Sequence, residues 1–94
     1  MDDWQFGCPE GIWTGRLDRK EWGKSTNLKL YFTDEGTGEQ YWFSVWHLNG
    51  YTPRKGGLSF KTEAAPGEVF ELTTQKTKDG KPNLITARKI SDPV

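Results

Sequence analysis

The chain has 94 residues, with thirteen basic and thirteen acidic side chains and a formal net charge of zero. This length allows one domain with one modest core, and the balanced charge argues against a nonspecific polycation. No run of 18 apolar residues is present and the acidic N-terminus lacks a signal pattern, so no membrane partner is expected. We expect one cytoplasmic domain over 1–94, with flexible ends at 1–10 and 91–94.

Short strands and turns are indicated along the whole chain. Eleven glycines and five prolines interrupt it, and helical periodicity is nearly absent. The first strand is predicted over 11–18, with Trp13 and Leu17 facing a core and Arg16 facing outward. Gly15 in its middle predicts a bend or bulge. A basic loop over 19–26 follows.

The next segment is predicted to be a hairpin of strands 27–33 and 40–47. Leu28, Leu30 and Phe32 alternate with polar or amphipathic residues in the first of these, which is typical of a half-buried strand. The turn 34–39 contains the glycines that a hairpin requires. The sequence leaves two registers open for the third strand, because a one-residue slip exchanges its faces. Either Trp42 and Trp46 are exposed, or Tyr41 and Phe43 are.

A long connection separates this hairpin from a second one. Residues 47–66 are rich in Gly and Pro and predict an irregular loop, with a short strand near 58–61. Strands 67–75 and 83–90 follow, joined by a basic turn over 76–82 that carries an Asp-Gly hairpin signal. Five short antiparallel strands with a longer third connection predict an all-β, five-stranded Greek-key barrel, since a curled sheet must close or leave exposed edges.

Nothing in the sequence predicts catalysis. His47 is the sole histidine and Cys8 the sole cysteine, and no nucleophile–base arrangement or glycine-rich phosphate loop is present. Carboxylates are scattered through turns without a convincing pair. The expectation is a protein that is not an enzyme, with no catalytic residue, metal site or cofactor.

Basic and aromatic residues are unevenly distributed. Residues 16–29 contain five basic against two acidic side chains, and residues 76–89 contain five against one. Five tryptophans are too many rings for so small a core, which predicts that some of them lie on the surface. Trp4 and Phe6 either cover a barrel end or form a partner motif.

Residues 11–33 and 67–90 together resemble an OB-fold nucleic-acid-binding domain of the small single-stranded-DNA-binding type. The resemblance lies in a glycine-bearing first strand, an alternating second strand, the Gly67-Glu68 start of strand four, a basic glycine turn, and the spacing of Leu84 and Ile90. It implies a ligand lying across strands two and three between the loops 19–26 and 76–82. These loops lie in the two segments that charge counting had singled out.

The sequence therefore predicts sequence-tolerant binding of single-stranded nucleic acid, DNA rather than RNA, in replication, recombination or repair. Outward rings would stack on bases and cations would follow the phosphates. The candidate binding residues are Arg16, Arg19, Lys20, Trp22, Lys24, Lys29, Tyr31, Trp42, Trp46, Arg54, Lys55, Lys76, Lys78 and Lys81.

Other functions remain open at this point. The rings can instead pack under the 47–66 loop or in a homodimer interface. A protein-interaction module, an inhibitor or adaptor, would use exposed aromatics in the same way, and a carbohydrate-binding domain is a weaker alternative. Salt dependence discriminates between them, because phosphate contacts make affinity fall steeply with salt.

Overall fold

The computed structural model of the protein describes residues 4–24 and 26–91, with the side chain of residue 91 left aside. Of the expected flexible ends at 1–10 and 91–94, residues 1–3 and 92–94 lie outside the described residues, as does Ser25 in the predicted basic loop. Six strands are present: β1 (Gln5–Phe6), β2 (Gly11–Trp22), β3 (Asn27–Asp34), β4 (Gln40–Trp46), β5 (Val69–Lys76) and β6 (Pro82–Ser91). A single turn of 3-10 helix spans His47–Asn49.

The all-β prediction is confirmed, but the sheet differs from a five-stranded antiparallel barrel. Its strand order is β1-β4-β3-β2-β5-β6. The pair β1–β4 is parallel, and every other pair is antiparallel. The sheet does not close, because β4 and β6 approach each other without pairing. The expected closed barrel is therefore not present in the described residues.

The two hairpins form where the turn residues predict them. In the β3–β4 turn the Asp34 carboxylate accepts a hydrogen bond from the amide of Gly36 at 2.8 Å, and Gly38 takes a φ of 77°. In the β5–β6 turn Gly80 takes a φ of 79°, and the amide of Thr77 donates to the carbonyl of Lys81. Glycine adopts such positive φ angles without steric cost.

Strand β2 is longer than predicted and contains a bulge. Leu17 pairs with Phe32 but Arg19 pairs with Tyr31, so Asp18 is an additional residue without an opposite partner. The bulge exchanges the faces for the second half of the strand. Residues 19–22, half of the predicted loop 19–26, belong to β2, and only 23–26 connect β2 to β3.

The core lies on one face of the sheet and is centred on the ring of Phe32. The rings of Phe43, Phe60, Phe70 and Trp13 all have centroids within 5.5–6.2 Å of it. Phe60 comes from the 47–66 connection, where the predicted strand near 58–61 is absent. That segment forms a turn instead. The amide of Phe60 donates to the carbonyl of Tyr51, and the Phe60 ring is buried in the core.

Strand β4 has the first of the two registers that the sequence left open. Phe43 and Val45 are buried in the core. Trp42, Ser44 and Trp46 therefore lie on the side of the sheet opposite to the core, which we call the outer face. Trp46 is 49% exposed.

Candidate nucleic-acid interface

One end of the predicted aromatic surface is covered by the protein's own N-terminal segment. Strand β1 runs along β4, and the amide of Gly7 donates to the carbonyl of Trp42 at 3.1 Å. Phe6 packs on Trp42 with ring centroids 4.6 Å apart, and Trp4 packs edge-on against Tyr31 at 5.4 Å. We call residues 4–7 the N-terminal arm.

Tyr31 lies on the outer face as expected, but it is not an exposed ring. It is only 7% exposed, because Trp4 covers one side and the guanidinium of Arg19 lies 4.1 Å from the ring centroid. Its hydroxyl donates to Glu21 at 2.9 Å. Burial, with the hydrogen bond to Glu21 as a smaller contribution, raises the pKa of the Tyr31 phenol. The expectation that Tyr31 presents a free stacking surface is therefore wrong.

Two further candidates from the predicted loop lie on the opposite face. Lys20 pairs with Leu30 and Trp22 pairs with Leu28, so both follow the inward side of β3. The ammonium of Lys20 donates to the carbonyls of Phe60, Lys61 and Ala64 at 3.0, 3.4 and 2.7 Å. Trp22 is 61% exposed and packs against Tyr51 at 5.5 Å. The reason is the bulge at Asp18, which strict alternation does not anticipate.

Acidic neighbours pair with the two arginines of β2. Arg16 lies 2.9 Å from Asp18 and 3.6 Å from Glu35, and Asp18 raises the pKa of its guanidinium through a hydrogen bond and charge attraction. Arg19 lies 3.3 Å from Glu21. Such ion pairs weaken the attraction of these cations for phosphate, because each carboxylate cancels much of the local positive potential.

An open groove remains on the outer face beside the arm. Its volume is about 310 Å³, and its walls combine rings, cations and small polar groups. Within it the ammonium of Lys29 lies 5.1 Å from the Trp42 ring centroid. We call this the outer groove, and its lining residues are Phe6, Asn27, Lys29, Trp42, Ser44, Trp46, Lys81 and Pro82.

A second groove of about 350 Å³ lies at the gap between β4 and β6, which we call the seam groove. Arg54 contributes its cation, and the Arg54 Nε donates to the side chain of Asn83 in β6 at 2.9 Å. The two grooves share four residues, Ser44, Trp46, Lys81 and Pro82. No carboxylate lines either groove among the residues that the structure describes.

The structure thus brings together five of the fourteen predicted residues: Lys29, Trp42, Trp46, Arg54 and Lys81. Four other candidates, Lys24, Lys55, Lys76 and Lys78, are exposed and do not line these grooves. The prediction missed the polar pair at the centre of the outer groove, where the Asn27 amide donates to the Ser44 hydroxyl at 3.0 Å. Alternation already placed Ser44 between the two tryptophans, and that position was the available signal.

Compared with models of protein families, with curated proteins and with solved structures, the chain gives no match. No helix within 4–24 and 26–91 is long and apolar enough to span a bilayer. Across the same described ranges, no three His, Cys, Asp or Glu side chains are grouped so that they could hold a metal ion.

Proposed function

We propose that the protein binds single-stranded nucleic acid in the outer groove. The observation that supports this best is the composition of the groove wall. It combines the half-exposed ring of Trp46 and the ring of Trp42 with the cations Lys29 and Lys81, and no carboxylate lies among its described residues. Rings provide stacking surfaces for bases and cations attract phosphates, so the wall suits both parts of a single strand.

The sheet supports this proposal through its strand order. Strand β2 pairs with both β3 and β5, and the two hairpins therefore flank it. We propose that β2 to β6 form an OB-type barrel left open between β4 and β6, since OB barrels are partly open Greek-key barrels. On this view the outer groove lies beside the second and third barrel strands, and Lys81 comes from the turn between the last two.

The predicted ligand surface is narrower than the sequence indicated. Lys20 and Trp22 face the core side, and Tyr31 is covered. Base stacking contributes about 1–3 kcal/mol per base. Two stacking rings and a few phosphate contacts therefore favour a modest, salt-sensitive affinity with little sequence preference. DNA rather than RNA remains the proposed ligand.

A titration of tryptophan fluorescence with oligo-dT and oligo-rU at two salt concentrations tests the proposal. Trp46→Ala should weaken binding by about 1–3 kcal/mol, whereas Trp22→Ala should leave the affinity unchanged. Trp22 is the matched control because it is also well exposed but lies on the opposite face. Lys81→Gln should reduce the salt slope by about 1, with Lys78→Gln of the same turn as its control.

Absence of quenching by either oligomer at low salt would contradict the proposal. The second candidate is a protein-interaction module, and the exposure of Leu48 next to Trp46 favours it. Leu48 is 92% exposed on the 3-10 turn, and neighbouring apolar residues of this kind are typical of protein contact sites. Binding of a protein partner would be much less sensitive to salt than phosphate contact.

A further inference from the structure

We propose that the bound strand leaves the outer groove past Trp46 and continues through the seam groove to Arg54, crossing the edge of β4 at Ser44. This inference rests on the proposed function and concerns the path of the ligand. A path that leaves Trp42 across β3 would instead meet its partner Tyr31, whose ring is buried under Trp4 and Arg19. The seam groove, in contrast, leaves the path of the strand open.

The continuity of the two grooves supports this path. They share Trp46, Ser44 and Lys81, so a strand that follows the shared wall passes from one groove into the other. Lys29 lies at the Trp42 side and Arg54 at the far side, with Lys81 between them. These three cations border the path of the strand. No carboxylate is among the described residues that line the two grooves.

The main chain of β4 adds polar groups to the middle of this path. The carbonyls of Trp42 and Trp46 point away from β3, because they accept hydrogen bonds from the amides of Gly7 and Tyr51. Peptide groups alternate along an antiparallel strand, so the N–H and C=O of Ser44 point to the same edge. This edge opens into the seam groove, where a nucleotide can form hydrogen bonds with the N–H and the C=O of Ser44.

Trp46 and Leu48 form the apolar part of the seam. Both are exposed, at 49% and 92%, and both line the seam groove. In strand β4 the positions of Trp42 and Trp46 are about 13 Å apart, given a rise of about 3.3 Å per residue. Bases stacked directly on each other are about 3.4 Å apart, so the two rings hold bases that are not neighbours. The ligand therefore needs several nucleotides to reach Arg54.

A length series of oligo-dT, from about four to about twelve nucleotides, tests the path. Arg54→Gln should reduce the salt slope by about 1 for the longest oligomers and leave the shortest unchanged. Lys55→Gln is the matched control, because Lys55 is the next exposed cation but does not line the seam. Leu48→Ser should weaken binding of the long oligomers only, while Ile12→Ser, at an exposed position on β2, should not change it.

The outcomes separate the path from the function itself. If the wild-type protein binds oligo-dT but Arg54→Gln and Lys55→Gln behave alike, the path is wrong and the outer groove remains the binding site. An effect of Arg54→Gln that is equal for the shortest and longest oligomers also overturns the path. If no oligomer quenches the wild-type fluorescence at low salt, the proposed function fails, and the path fails with it.

Discussion

The indole of Trp4 stands edge-on to the phenol ring of Tyr31, with ring centroids 5.4 Å apart and ring planes at 83°. This contact joins the N-terminal arm to the middle of the outer face. The arm determines which part of the aromatic surface is open, because it covers Tyr31 and packs on Trp42 through Phe6, whereas Trp46 lies beyond it. The arm is therefore part of the candidate site and not merely an end of the chain.

Replacement of Trp4 should uncover Tyr31. Trp4→Ala removes one cover of a ring that is only 7% exposed, so nitration of Tyr31, mapped by mass spectrometry, should increase. The variant should also lose about 0.5–1.5 kcal/mol of ring–ring interaction. Gln5→Ala, at an exposed position of the same arm, is the control. Unchanged nitration would mean that Arg19 and Trp42, the other neighbours of the ring, are sufficient to protect it.

Lys20 should matter for stability and not for ligand binding. Its ammonium donates to three carbonyls of the segment 60–64, which holds Phe60 inside the sheet. Lys20→Ala should lower the free energy of unfolding in urea by about 1–3 kcal/mol, because carbonyls near the core lose their donor. Lys24→Ala, at an exposed position, should have little effect. A large loss of oligo-dT affinity in folded Lys20→Ala would contradict this assignment.

Gly15 should not tolerate a side chain. A Cβ at this position would lie 2.7 Å from Trp13 Cζ3 and 3.0 Å from Leu72 Cδ1. Gly15→Ala should cost about 1–3 kcal/mol through overpacking, more than the about 0.4–1 kcal/mol gained from a stiffer unfolded chain. Thermal unfolding measures the difference, with Thr14→Ala as the neighbouring control. A more stable Gly15→Ala protein would show that the rings around it can shift.

Glu68 should make the stability depend on acid pH. The ammonium of Lys89, 2.7 Å away, and the amide of Ala65 lower the pKa of this buried carboxyl below its ordinary 4.5. A lowered pKa in the folded state stabilises the fold above pH 4.5. That contribution is lost as the pH falls through the folded-state value.

Urea unfolding at a series of pH values measures this effect. Glu68→Gln should flatten the acid limb of the stability curve. Glu71→Gln removes the same charge from a half-exposed position and is its control. An acid limb that is the same in wild type and Glu68→Gln would show that other carboxylates determine the acid sensitivity.

The sequence predicted the two hairpins well, because the patterns that specify a hairpin lie within a short stretch of the chain. Alternation of Leu28, Leu30 and Phe32, together with glycine turns, reproduces the bounds of β3 and β4 within one residue. The same local patterns did not predict the bulge at Asp18. A bulge exchanges the faces of all later residues in its strand, and no residue type marks it uniquely. Lys20 and Trp22 were predicted to lie in a basic loop beside the ligand, but they belong to β2 and, after the bulge, face the core side.

The candidate site was also predicted only where it depends on local sequence patterns. Trp42 and Trp46 followed from alternation once the register was chosen, and Lys81 followed from the basic turn. The arm could not be predicted, because a parallel pair between Gln5 and Tyr41 joins residues far apart in the chain. The open gap between β4 and β6 is likewise a tertiary property, which five strand patterns alone do not specify.

The gap between β4 and β6 also determines how the width of the seam groove is controlled. In a closed barrel, ladder hydrogen bonds would fix the distance between these strands. Here the β4 side is held by the arm through Gly7, and the β6 side by the amides of Arg54 and Lys55, which donate to Leu84 and Ile85. The separation of the two strands therefore depends on the arm and on the 47–66 connection, and we expect substitutions at these contacts to change the width of the seam groove.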